Sequence, residues 1–318
     1  MTTDLSPQQR TNQFVVDPHP TLGEPVVVTA QDPPQHHVRA ALDKRLRAML
    51  RHDPGTRTGE DPEDLHQMRV SVRRMRAVLQ AARPLLNREW ADGLRAELGW
   101  LGRALGPVRD LDVLLIRLRG EAALFGADER ADAERLLGSL ETERDRARAV
   151  MLDALASKRY SVLVNRLAEA VAHPVPTRDR KPKASLTSMV GKQYERLSGE
   201  VVKAGESPPD EVLHELRIHG KRLRYTAELT EAALGPQVHE LQRRTVTMQD
   251  VLGEHQDACV AQQRVTALLA DLPGDTAVAF VAGRLFEREE IRRIETRAAW
   301  PQAWTDVRLA AERALRPS

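Results

Sequence analysis

The sequence predicts an all-α protein. It is expected to hold two four-helix bundles related by an internal duplication, a pseudo-twofold pair with a basic cleft or channel between them. Three observations predict it. Aromatic residues make up only 3% of the 318-residue chain while Ala, Leu, Arg and Glu dominate, a bias toward helix and away from strand. Apolar residues recur at spacings of three and four along most of the chain. Two blocks in the first half reappear in the second at an almost constant distance.

The bulk numbers bound the rest. Hydrophobic residues are 41% and charged residues 30%, the balance of a soluble globular chain long enough for two cores. Formal net charge is only +2, from 48 basic and 46 acidic residues, so a polyanion site has to come from local clustering. Cys259 is the single cysteine, which excludes an intramolecular disulfide and fits a reducing compartment. Met1–Arg10 lacks a basic segment followed by an apolar run, and no stretch approaches the ~18 apolar residues of a membrane span. A cytoplasmic protein without a membrane partner is expected.

Residues 1–35, rich in Pro, Gln and Thr, read as a flexible N-terminal arm in which Val26-Val27-Val28 is a short extended segment. The first bundle spans 36–172. Its opening helix covers His37–Arg51, with Val38, Leu42, Leu46 and Met49 as the apolar face, and Asp53-Pro54-Gly55 ends it. Residues 173–184, with His173-Pro174-Val175-Pro176, read as a linker, and the second bundle spans 185–318. The repeat is explicit. Leu65-His66-Gln67-Met68-Arg69-Val70 answers Leu213-His214-Glu215-Leu216-Arg217-Ile218, 148 residues on. Leu105-Gly106-Pro107-Val108-Arg109-Asp110 answers Leu252-Gly253-Glu254-His255-Gln256-Asp257, 147 residues on.

The charge sits on one helix of each half. Asp61 can cap the first and Pro62 can open it, with Glu63 and Asp64 set against its positive end. Leu65, Met68, Val72, Met75 and Leu79 form its apolar stripe. His66, Arg69, Arg73 and Arg76 follow the same spacing one position later and share a sector of ~80° beside the stripe, while Arg74 points to the other flank. In the second half Ser207-Pro208 is expected to open the helix. Leu213, Leu216, Leu223 and Thr226 make its stripe, His214, Arg217, Lys221 and Arg224 its basic sector, and Arg222 repeats Arg74. A solvated basic face is the ordinary reading of one such helix. Here the acidic i+4 partners of a salt-bridged surface are missing and the geometry occurs twice. Arginine donates two parallel hydrogen bonds to phosphate and stays charged, and charges every ~5 Å along a helix can track a linear chain of phosphates.

These residues resemble the conserved-histidine α-helical domain family, CHAD. The resemblance rests on Leu65-His66-x-x-Arg69-Val70-x-x-Arg73-Arg74-x-Arg76, on Leu213-His214-x-x-Arg217-Ile218-x-x-Lys221-Arg222-Leu223-Arg224-Tyr225, on Leu105-Gly106-x-x-Arg109-Asp110-Leu111-Asp112 and on Gln249-Asp250-x-Leu252-Gly253-x-x-Gln256-Asp257, and covers roughly residues 36–316. It implies two four-helix bundles around a basic channel, inorganic polyphosphate as ligand, localisation to polyphosphate granules, and no catalytic activity or cofactor. The family often accompanies a triphosphate-processing domain. This sequence leaves no room for one, so a stand-alone binding protein is expected, with polyphosphate-metabolising enzymes as candidate partners. Gln256 departs from the pattern where the first half has Arg109. On this reading Arg69, Arg73, Arg76, Arg217, Lys221 and Arg224 are primary phosphate contacts. Arg74, Arg222, Arg109, His66 and His214 are secondary, and Lys44 and Lys192 on the first helix of each half complete the set.

Other readings of the same residues stand beside it. A basic row binds any phosphate backbone, so nucleic acid is an alternative ligand, although stacking aromatics are scarce. Glu63-x-x-His66 and Glu211-x-x-His214 have the spacing of di-iron carboxylate bundles, but sit among arginines that oppose a dication. The histidines could contact phosphate or orient a neighbouring arginine. Asp110, Asp112 and Asp257 are expected to fasten helix junctions, His255 to be a polar residue at such a junction, and Gly106 and Gly253 to permit close helix packing.

Overall fold

The computed structural model describes residues 20–178 and 185–316. Residues 1–19 of the arm and 179–184 of the linker lie outside the described residues. Nine α-helices make up the described fold, in the order α1 (Pro34–Thr58), α2 (Pro62–Ala81), α3 (Arg88–Ala122), α4 (Ala127–Ala156), α5 (Lys158–Ala172), α6 (Leu186–Ala204), α7 (Asp210–Leu234), α8 (Pro236–Ala270) and α9 (Thr276–Ala314). Extended pairing is confined, among the described residues, to one antiparallel bridge between Leu86 and Thr177. None of these helices is long and apolar enough to cross a membrane.

Local chemistry accounts for most boundaries and corrects two of them. The Asp61 side chain accepts from the Glu63 amide at 2.8 Å and Pro62 opens α2, as the sequence predicts. Helix α1 does not stop at Asp53-Pro54-Gly55 but runs on to Thr58 and ends at Gly59, whose φ of 73° only glycine adopts without strain. The turn containing Pro54 is held by the buried Asp53 carboxylate, which binds Arg57 at 2.5 Å and the Tyr160 hydroxyl at 2.6 Å. Helix α7 begins at Asp210 rather than at Ser207-Pro208, because Pro209 is held extended at φ −65°, ψ 165°. The first half holds five helices rather than four: Ser157 adopts an extended backbone that ends α4, and its side chain caps α5.

Three apolar cores hold these helices. The first joins α1, α2, α5, the N-terminal part of α3 and the C-terminal part of α4, and takes in Leu186 and Met189 of α6 and Leu229 of α7 from the second half. The second-half core joins α6, α7, the start of α8 and the end of α9. A third core lies between the halves, where Leu111–Leu118 of α3 and Ala133–Leu140 of α4 meet Ala261–Leu268 of α8 and Val278–Leu285 of α9. Ion pairs border this third core. Arg117 binds Glu289, which is fully buried, at 2.5 Å and Glu254 at 2.8 Å, and Glu121 binds both Arg288 and Arg292. The consequence for function is that α2 of the first half packs directly on α7 of the second.

Candidate anion-binding site

The apolar stripes decide which way the basic residues face. Leu65, Met68, Val72, Met75 and Leu79 are all buried in the first core, and Leu213, Leu216, Leu223 and Thr226 are buried on α7. The sectors one position later are thereby turned toward each other across the contact between α2 and α7. Lys221 shows how close they come. Burial, with Arg217, Arg73 and Arg69 around it, pushes its ammonium down to about 8. The Arg217 guanidinium is likewise lowered, first by burial and then, against the pull of Asp257, by Arg73.

These cations are mostly left without counter-charges. Among the described residues, Arg73, Arg76, Arg109, Arg217, Lys221 and Arg224 make no ion pair within 4.0 Å, in contrast to Arg69, which binds Asp110 at 2.7 Å. The Nε atoms of Arg109, Arg217 and Arg224 are buried with no hydrogen-bond partner. Arg224 does donate to Gln249 Oε1 at 3.1 Å through its Nη1. An unpaired guanidinium half-removed from water is unfavourable by itself, so this arrangement suits an anion supplied from outside.

Glycines set the depth at which the arginines lie. The Arg69 guanidinium crosses α3 at Gly106 and donates to its carbonyl at 3.2 Å. A Cβ at Gly253 would stand 3.2 Å from Arg217 Nη2, and one at Gly99 would stand 3.4 Å from Arg76 Nη2. The bare helix backbone is what lets these side chains lie flat. Sequence reasoning passed over the neighbours this creates. Arg95 and Arg103 of α3 flank Arg76, whose pKa is lowered first by burial and then by these two charges. The signal was present in the spacing of Arg95, Gly99, Arg103, Gly106 and Asp110, which lie along one face of α3.

The repeated histidines have different surroundings. His66 stands beside Arg109, Arg73 and Arg69, and burial followed by Arg109 lowers its pKa. His214 instead shares a 2.8 Å hydrogen bond between its Nδ1 and Gln256 Oε1. The substitution of Gln256 for Arg109 in the repeat is thus what separates them.

The remaining expected contacts lie elsewhere. Arg74 is on the other flank of α2, where it and Arg45 share Glu228 at 3.0 and 2.5 Å. Lys44 lines the cavity beside that pair. Arg222 is exposed next to His219 on the side of α7 toward α6, and Lys192 is exposed on α6. Asp112 fastens α3 to α4 through Arg144 at 2.5 Å. His255 is buried at the junction of α7, α8 and α9, its Nε2 3.1 Å from Asp210 Oδ1.

Neither Glu63/His66 nor Glu211/His214 belongs to a cluster of three ligating side chains among the described residues. The one such cluster there is Asp210, His255 and Cys259, with ligand atoms within 4.8 Å of one another. Arg293 and Arg297 both bind the Asp210 carboxylate, which opposes a cation at that place.

Comparison with known proteins agrees with this architecture. Residues 40–266 match the CHAD domain. The uncharacterized proteins MT2285 and Rv2226 of Mycobacterium tuberculosis are each 27% identical over 266 residues, 81% of this chain and 50% of theirs. The chain therefore spans about half the length of these relatives. Among solved structures, PptA from Streptomyces chartreusis superposes with a TM-score of 0.71 at 23% identity, over 86% of this chain and all of that one. The CHAD domain from the plant Ricinus communis superposes with a TM-score of 0.65 at 24% identity, over 92% and 96%. At these identities the two structures speak to the fold.

Proposed function

We propose, from the premise that this chain belongs to the CHAD domain family, that it binds inorganic polyphosphate without chemical turnover along the facing basic rows of α2 and α7. The observation that carries the reading is the accumulation of unpaired charge there: burial, with Arg217 and Arg73 close by, depresses the Lys221 ammonium to about 8. A linear polyanion relieves that repulsion at several points at once. Arg69, Arg73, Arg76, Arg217, Lys221 and Arg224 take its phosphates by charge-assisted hydrogen bonds. His66 and Arg109 add a further cationic position in the first half, whereas the second half, with Gln256, binds less strongly. Asp110, tied to Arg69, orients that guanidinium. A role at polyphosphate granules, alone or beside enzymes that make or consume polyphosphate, follows from this activity.

The test is calorimetry with long-chain polyphosphate at two salt concentrations, against orthophosphate, triphosphate and single-stranded DNA of matched charge. Binding is expected to be selective for polyphosphate and to weaken steeply with salt as counterions are released. The double variant Arg73→Glu/Lys221→Glu is expected to lose binding while keeping its helical circular dichroism. Retained affinity in that variant would overturn the site, and equal affinity for DNA would make the protein a general polyanion binder.

A further inference from the structure

A second concave region lies apart from the facing rows. A cavity of about 740 Å³ opens between α1, α2, α7 and the extended strap that precedes α1. None of the six residues assigned as primary polyphosphate contacts lines it. The strap is pinned in place: the Val26 amide donates to Asp43 Oδ2 at 3.0 Å, Arg47 donates to the Gly23 carbonyl, and the His36 ring meets the Val27 carbonyl at 2.9 Å. It precedes residues 40–266, so this wall of the cavity lies outside the part of the chain that matches the family.

Two features of the lining define what would fit. The lining carries five cations against three carboxylates, and Arg45 and Arg74 share the single Glu228. The excess of positive charge suits an anionic group. The remaining walls, including Val26, Val28, Val78 and Leu229, are apolar and accept a flat or aliphatic body.

We propose that this strap-walled cavity is a second ligand site, taking a small organic phosphate of mononucleotide size. The phosphate meets Lys44, Arg51 and the Arg45–Arg74 pair, and the body lies against the valines. The volume falls in the range of small-molecule sites, roughly 300–1,000 Å³. This assignment does not depend on polyphosphate binding, because it uses none of the six primary contacts.

The experiment is calorimetry with ATP, AMP and inorganic phosphate, on the full chain and on Arg73→Glu/Lys221→Glu, in which the facing rows are disabled. One-to-one ATP binding is expected to persist in that variant. Adding Ala232→Trp, which fills the cavity from an exposed position on α7, is expected to weaken it by about tenfold or more. Circular dichroism checks that each variant is folded. Three outcomes would each overturn the assignment: no saturable nucleotide binding, binding that Ala232→Trp leaves unchanged, or inorganic phosphate binding as tightly as ATP.

Discussion

Lys221 is the residue at which the site's charge is held against the strongest opposition. Burial and three neighbouring arginines hold its pKa at about 8 in the free protein, and a bound polyanion moves it back up. Below about pH 8 the ammonium is charged with or without ligand, so affinity is flat on its account. Above that pH the free protein loses the proton first, binding has to take it up again, and affinity falls. Calorimetric titrations from about pH 7 to 10 are expected to show this decline, and Lys221→Arg to flatten it. A decline that survives the substitution would place the titrating group elsewhere. His66 acts in the same sense lower on the scale: its pKa is lowered in the free protein, so polyphosphate affinity is expected to rise as pH falls through the histidine range. For folding the sign reverses. The unfolded chain holds the Lys221 proton more tightly, so the free protein gains stability as pH rises through about 8.

Within single helices, caps and glycines decide whether the rows are presented at all. Asp61→Ala removes the acceptor for the Glu63 amide at the start of α2 and is expected to cost about 1 kcal/mol, read as a lower urea midpoint with unchanged slope. Gly253→Leu places a side chain where Arg217 Nη2 now lies 3.2 Å from the ideal Cβ position. Loss of that one charge-assisted contact is expected to weaken polyphosphate binding by about tenfold, with helicity retained. The stripes, the α2 cap and the basic sectors were legible because each is a pattern within one helix. The end of α1 was not, because the turn through Pro54 is held by Tyr160, more than a hundred residues away.

At the scale of the whole molecule, the third core makes the two halves one cooperative unit. Leu118 is fully buried there among side chains of α3, α4, α8 and α9. Leu118→Ala is expected to cost about 2–5 kcal/mol. Unfolding is expected to remain a single transition, with far-ultraviolet dichroism coinciding with the fluorescence of Trp90 and Trp100 in the first half and Trp300 and Trp304 in the second. Two separable transitions would show that the halves fold independently. The same coupling fixes the spacing of the facing rows, since Arg117 and Glu289 tie α3 to α9 beside the core.

By itself the sequence determined the helical class and the family, and which basic residues share a helix face. All of these are written in local periodicity and in residue types at fixed spacing. Tertiary structure alone decided which charges face each other. Arg73 and Lys221 are neighbours only because α2 packs on α7, and Arg74 and Arg222 are directed away to other partners. It also separated His66 from His214, which one pattern makes equivalent, through the hydrogen bond to Gln256. Helical periodicity tells which face of a helix is wet or dry. The contacts of that face depend on packing between segments far apart in the chain, which no local spacing records.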